Sequence, residues 1–163
     1  MAQETGTLYP TSKHDQEMYA YGACHHLAIA MVRMFPKDLQ LLAVTQHASD
    51  QDYDNVIHVY AYDPKTDVAY DIFGERPYQD IHQEIDDRFI CDIDGIDHCP
   101  NEEYLRDHYV DDVNDCDRPL TECSEDDIKD AMQVIRKDII PNMKTLPGVQ
   151  KKAVKSTPGL QGP

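Results

Sequence analysis

From Ala23 to Phe35 almost every side chain is apolar: Ala23, Cys24, Leu27, Ala28, Ile29, Ala30, Met31, Val32, Met34 and Phe35. The stretch reads as a helix over 23–35. A helix with no polar face belongs in the centre of a domain. Pro36 ends it, because a proline disfavours helix in the residue before it. The rest of the chain must supply the layers that cover it. Strand-like runs follow at 39–45, at Val56–Tyr62 and at Val68–Phe73. The expected class is α+β, a central helix packed on a small antiparallel sheet.

The second and third runs are joined by Asp63-Pro64-Lys65-Thr66-Asp67. Asp followed by Pro is the preference of a type I turn, and so short a link makes an antiparallel hairpin. A loop over Asp63–Thr66 would close on the pair Tyr62 and Asp67. Stepping back four residues on each side places His58 opposite Asp71. Opposed residues share a face, close enough for a carboxylate to hold an imidazole.

Residues 1–20 read as a polar lead-in with a helical turn around 15–19. Arg76-Pro77 reads as a turn into a short helix over 80–87, and Phe89–Ile93 as another strand. Residues 94–123 read as loop and short helix. Ser124, with Asp127 three residues on, is a helix-opening pattern, and the helix carries Ile128, Ala131, Met132, Ile135 and Ile139 at steps of three and four up to Pro141. Residues 142–163 hold four lysines, three prolines and no acids, and read as a basic tail. The expected organisation is one domain over 1–141, with a core at 20–76 and an acidic extension at 77–141.

The net charge of −16 argues against direct contact with nucleic acid or an anionic membrane. Eighteen of the 31 acidic residues fall between Asp80 and Asp127. That surface either keeps the protein soluble or meets a basic protein partner. No run is apolar enough to cross a membrane, and the first residues lack a secretory pattern, so a cytoplasmic location is expected. Five cysteines without a C-x-x-C favour free thiols over disulfides. The spacings Cys91/Cys99 and Cys116/Cys123 do not suit a zinc knuckle, which leaves only a looser set of His98, Cys99 and His108. No metal or other cofactor is expected.

Cys24 opens the apolar helix, His58 lies in the second strand and Asp71 in the third. A thiol at a helix start is favoured as thiolate by the unpaired N–H groups there. A histidine can take its proton and return it to a leaving group, and an aspartate can orient that histidine. The Cys24 N–H would stabilise an oxyanion, with Gln16 as the nearest upstream amide and Gly22-Ala23 as the turn beside it. His25 and His26 are set aside as the base because helix neighbours project away from the Cys24 side chain.

The pattern Gly22-x-Cys24-x-x-Leu27-Ala28-x-Ala30, then His58-Val59-x-Ala61 and Tyr70-Asp71-x-x-Gly74, resembles the core of papain-like cysteine hydrolases in their transglutaminase-type chain order. It is most similar to the small versions found in phage and bacterial effector or toxin proteins, over residues 20–76. The resemblance implies Cys-His-Asp chemistry on amide or thioester bonds of a protein or peptide substrate: proteolysis, deamidation or transglutamination. Two other readings compete with it. One is a non-catalytic acidic inhibitor that imitates nucleic acid and fills a partner's basic groove. The other is a metal-binding domain using His25, His26, His58 or Asp71. Asp50-x-Asp52-x-Asp54 and Asp92-x-Asp94-Gly95-x-Asp97 both fail calcium-loop spacing. The tyrosines at 53, 60, 62 and 70 read as cover for one sheet face.

Overall fold

The computed structural model describes residues 12–47, 54–89, 95–99, 101–108 and 123–146. Helix α1 spans Lys13–Tyr21 and α2 spans Cys24–Met34. The strands are β1 (Gln40–His47), β2 (Asp54–Asp63), β3 (Val68–Asp71), β4 (Gly74–Pro77) and β5 (Gly95–Cys99). Helix α3 (Tyr78–Phe89) lies between β4 and β5, and α4 (Glu102–His108) and α5 (Glu125–Val134) follow. All strand pairings are antiparallel, in the order β4-β3-β2-β1-β5. The α+β class is therefore as expected.

Each sheet face has its own core, because side chains alternate along a strand. Leu41, Ala43, Val59, Ala61 and Tyr70 join Leu27, Ala28, Ala30 and Met31 of α2 and Ile128 and Ala131 of α5. Leu42, Val44, Tyr60 and Ala69 instead meet Ile81 and Ile85 of α3, one helical turn apart. Helix α2 lies between the sheet and α5, which is why it has no polar face. Each fully buried Leu, Ile or Met of this layer contributes about 1.5–3 kcal/mol. The tyrosines do not share one face: Tyr60 and Tyr62 pack on the α3 side and Tyr70 on the α2 side, while Tyr53 lies outside the described residues.

The β2–β3 register differs from the expected one by two residues. Asp63 pairs with Val68, Tyr62 with Ala69 and Ala61 with Tyr70. The loop keeps four residues but begins one later, at Pro64. Asp63 stays in the strand and caps the turn from there: its carboxylate accepts the Lys65 N–H at 2.8 Å and the Thr66 hydroxyl at 3.0 Å. Asp67 closes the turn at φ 57°, a left-handed conformation that Asp tolerates. A slide of two preserves the face. Asp71 therefore stays on the His58 side but lies diagonally from it rather than opposite.

Two further features set the site. Val44 pairs with His58 but Thr45 pairs with Val56, so Ile57 is an extra residue in β2. This bulge immediately precedes His58, where such a kink re-aims a side chain. Asp71 pairs with Gly74 across a two-residue turn, and Gly74 has φ 98°, which favours glycine. The Asp71-x-x-Gly74 pattern is thus the turn between β3 and β4, a strand that the sequence reading took for a turn.

The serine cap of α5 is present in full, with Ser124 and Asp127 each accepting from the other's backbone N–H. The helix continues as a π-helical turn over Ile135–Ile139 that keeps both end isoleucines buried. The basic tail does not begin at 142. Met143 and Leu146 are buried, and Glu75 of β4 accepts from the Lys144 N–H, the Thr145 N–H and the Thr145 hydroxyl at 2.8–3.0 Å. Residues 147–163 lie outside the described residues. Glu75→Ala removes the acceptor of the partly buried Thr145 N–H and of the exposed Lys144 N–H beside it. Trypsin should then cut after Lys144 faster than in the wild type, as read by mass spectrometry of the released fragment, and Glu75→Gln should restore most of the resistance.

Candidate active site

Cys24 is the first residue of α2 and is partly exposed. The first turn of a helix has N–H groups without an i−4 carbonyl. His26 and Leu27 both donate to the Ala23 carbonyl, and the N–H groups of Cys24 and His25 precede them. Ala23 caps the helix without a side-chain bond, so among the described residues no capping side chain competes with an anion for the donors at this end.

His58 reaches the same point from β2 and is 8% exposed. The Cys24 thiol is close enough to the imidazoles of His58 and His25 to be coupled to both. Burial is the largest single influence and disfavours every charged form here, but the thiolate–imidazolium attraction together with the contributions of His25 and Asp71 outweighs it. The Cys24 pKa is pulled from 9.0 to about 5, and that of His58 is pushed from 6.5 to about 10. Both shifts favour a thiolate beside an imidazolium.

Asp71 supports the imidazolium electrostatically. Its Oδ2 lies 3.9 Å from His58 Nε2, longer than a hydrogen bond and at the outer edge of ion-pair range. Asp71 is 4% exposed and fixed from two other directions. Its Oδ1 accepts the Phe73 N–H at 2.9 Å, and its Oδ2 accepts from Arg76 at 2.5 Å. Burial would raise its pKa, but the charges of His58 and Arg76 hold it below the usual carboxylate range.

The sequence reading missed Arg76. Its guanidinium bridges Asp71 and Glu84 of α3, and it sits over the Phe73 ring at 5.4 Å. No spacing rule announces an arginine on the strand after Asp71; the β3–β4 pairing of Ala69 with Arg76 brings it there.

Other expected residues fare differently. The N–H groups of Gly22 and Ala23 both donate to the Met18 carbonyl, so neither is an oxyanion donor. Gln16 is half-buried in the middle of α1 and its own N–H donates to the Ser12 carbonyl. His25 does not point away from Cys24. Side chains on a helix lean toward its N-terminus, and this tilt carries the His25 ring back to the sulfur.

A narrow pocket beside the dyad is lined by Ala20, His58, Asp71, Phe73, Arg76 and Ile81. A larger groove of about 510 Å³ lies at the other end of α2, around Ile29, Arg33, Lys37 and Glu102, and contains none of the three residues. Of the acidic surface, Asp80, Glu84 and Asp87 of α3 are exposed, while Asp111 and Asp112 lie outside the described residues. So do most of the two acidic loops and the side chains of His98, Cys99 and His108. Among the described residues no helix is long and apolar enough to cross a membrane. Comparison of the chain with protein-family models, with curated proteins and with solved structures finds no match.

Proposed function

We propose that the protein is a cysteine-dependent hydrolase or acyltransferase of papain-like type, acting on amide or thioester bonds of a protein or peptide. One observation carries this reading: a partly exposed sulfur at the start of a buried helix is coupled to a buried histidine whose Nε2 lies 3.9 Å from a buried, fixed carboxylate. Nothing in packing alone calls for three such groups to converge.

In this reading the Cys24 thiolate attacks the carbonyl carbon. The carbonyl oxygen takes the negative charge and meets the N–H groups at the opening of α2. His58, already protonated, gives its proton to the departing amine or thiol as the acyl group moves to sulfur. Neutral His58 then takes a proton from water or from an acceptor amine, which attacks the thioester and returns Cys24 to thiolate. Asp71 holds the imidazole in place and stabilises its charged form throughout. Arg76 fixes Asp71 and is a positioning residue.

An activated aryl acetate tests this without knowledge of the natural substrate. A burst of released phenol is expected, with the acetyl group found on the Cys24 peptide by mass spectrometry. The burst should vanish in Cys24→Ala and fall at least about a hundredfold in His58→Gln. Acetylation of Cys24 no faster than that of an unstructured cysteine peptide at the same pH would refute the reading.

A further inference from the structure

We propose that His25, His26 and Cys123 form a site for a transition-metal ion of the zinc class, distinct from the His58–Asp71 pair. One ligating atom from each of the three lies within 4.8 Å of the other two. All three residues are buried, at 2%, 2% and 8% exposure. The two imidazoles meet nearly edge-on, with ring centroids 4.3 Å apart. Among the described residues Nε2 of His25 is buried without a hydrogen-bond partner. A buried polar atom in that state is costly, and a bound ion would satisfy it.

The placement is also informative. His25 and His26 belong to the first turn of α2, and Cys123 directly precedes Ser124, the cap of α5. An ion here would tie the start of α2 to the start of α5. Two imidazoles and one thiolate suit Zn²⁺ or Co²⁺ and do not suit Mg²⁺ or Ca²⁺, which require oxygen ligands. An ion bonded at about 2.1 Å to nitrogen and about 2.3 Å to sulfur holds its ligands about 3.5 Å apart. The three side chains need to close by little more than an ångström. On binding, the Cys123 S–H bond breaks, a sulfur–metal bond forms and one proton leaves to solvent, with no change of oxidation state. Three protein ligands leave a fourth coordination position open.

The test uses full-length Cys24→Ala protein, so that the proposed nucleophile adds no sulfur ligand. After chelator treatment it is titrated with Co²⁺. A thiolate-to-cobalt charge-transfer band saturating at one equivalent is expected, bleached by added Zn²⁺. Cys123→Ser should abolish the band. His25→Gln and His26→Gln should each weaken Co²⁺ binding by at least about tenfold, with circular dichroism confirming the fold. In otherwise wild-type protein Zn²⁺ should protect Cys123 from alkylation and Mg²⁺ should not, a measurement that stands if the serine variant fails to fold. Absence of the band, its survival in Cys123→Ser, or equal alkylation of Cys123 with and without Zn²⁺ would overturn the proposal.

Discussion

Reaction of Cys24 with a dipyridyl disulfide, in chelator-treated protein, is expected to rise with a midpoint at about pH 5 rather than at the free-thiol value. At pH 6 the thiolate fraction should exceed that of a thiol with pKa about 8.5 by on the order of 300-fold. A less basic thiolate is a weaker nucleophile, with a Brønsted slope of about 0.4–0.5, which gives back roughly 25–55-fold. The net advantage at pH 6 is about 5–12-fold, so the midpoint is the sharper readout. In His58→Gln the main counter-charge is gone and burial acts against the thiolate. The midpoint should then climb above about 8.5. A wild-type midpoint at or above that value would show that no ion pair exists.

The same pair shapes stability against pH. Cys24 has a depressed folded pKa, so its contribution is complete above the unfolded value of 9.0 and lost as pH falls through about 5. His58 has a raised folded pKa, so its contribution is complete below the unfolded value of 6.5 and lost as pH rises through about 10. Between 6.5 and 9.0 both states bind one proton on these two groups: the unfolded state on sulfur, the folded state on the imidazole. The pair's contribution is therefore flat across that window. It falls between 6.5 and 5, and again between 9.0 and 10. Subtracting the melting profile of a Cys24→Ala, His58→Gln double variant from that of the wild type should reveal this plateau.

Asp71→Asn is expected to be the most destabilising single change at the site. The amide can still accept the Phe73 N–H, so the β3–β4 turn survives. The negative charge between His58 and Arg76 is lost, and two cations then face each other across a buried amide. Removing one partner of a buried ion pair costs about 3–5 kcal/mol. Arg76 keeps Glu84 and is partly exposed, so about 3 kcal/mol is expected at pH 7, or about 6–12 °C in melting temperature. The Asp71 pKa is lowered in the fold, so its contribution is complete above the unfolded value and disappears as pH falls through the folded one. The gap between wild type and variant should therefore be wide at neutral pH and close below about pH 4. The midpoint for Cys24 reaction should also rise, since the imidazolium loses its supporting charge. Equal melting temperatures at pH 7 would show that Asp71 bears no charge of consequence.

Much of the layer arrangement was legible in the residues. The apolar run after Cys24 marked a central helix, and the strand-like run Val56–Tyr62 marked a strand. The Ser124/Asp127 spacing marked the start of α5, since capping acts within one turn. Errors arose where one choice of hydrogen bond governs a whole element. The Asp63 carboxylate, capping its turn from inside the strand, moved the β2–β3 register by two. Glu75, gathering three donors from residues 144 and 145, drew into the core a segment whose composition reads as tail.

Periodicity and turn chemistry act over a few residues, and they sufficed to place the residue types at the start of the helix and on the two strands. How the groups meet depends on packing between distant segments. The bulge at Ile57 aims His58, the β3–β4 turn sets Arg76 on Asp71, and helix tilt returns His25 to Cys24. The packing of α5 on α2 brings Cys123 to the paired imidazoles. These are contacts between residues far apart in the chain, and no local pattern encodes the distance at which two buried charges come to rest.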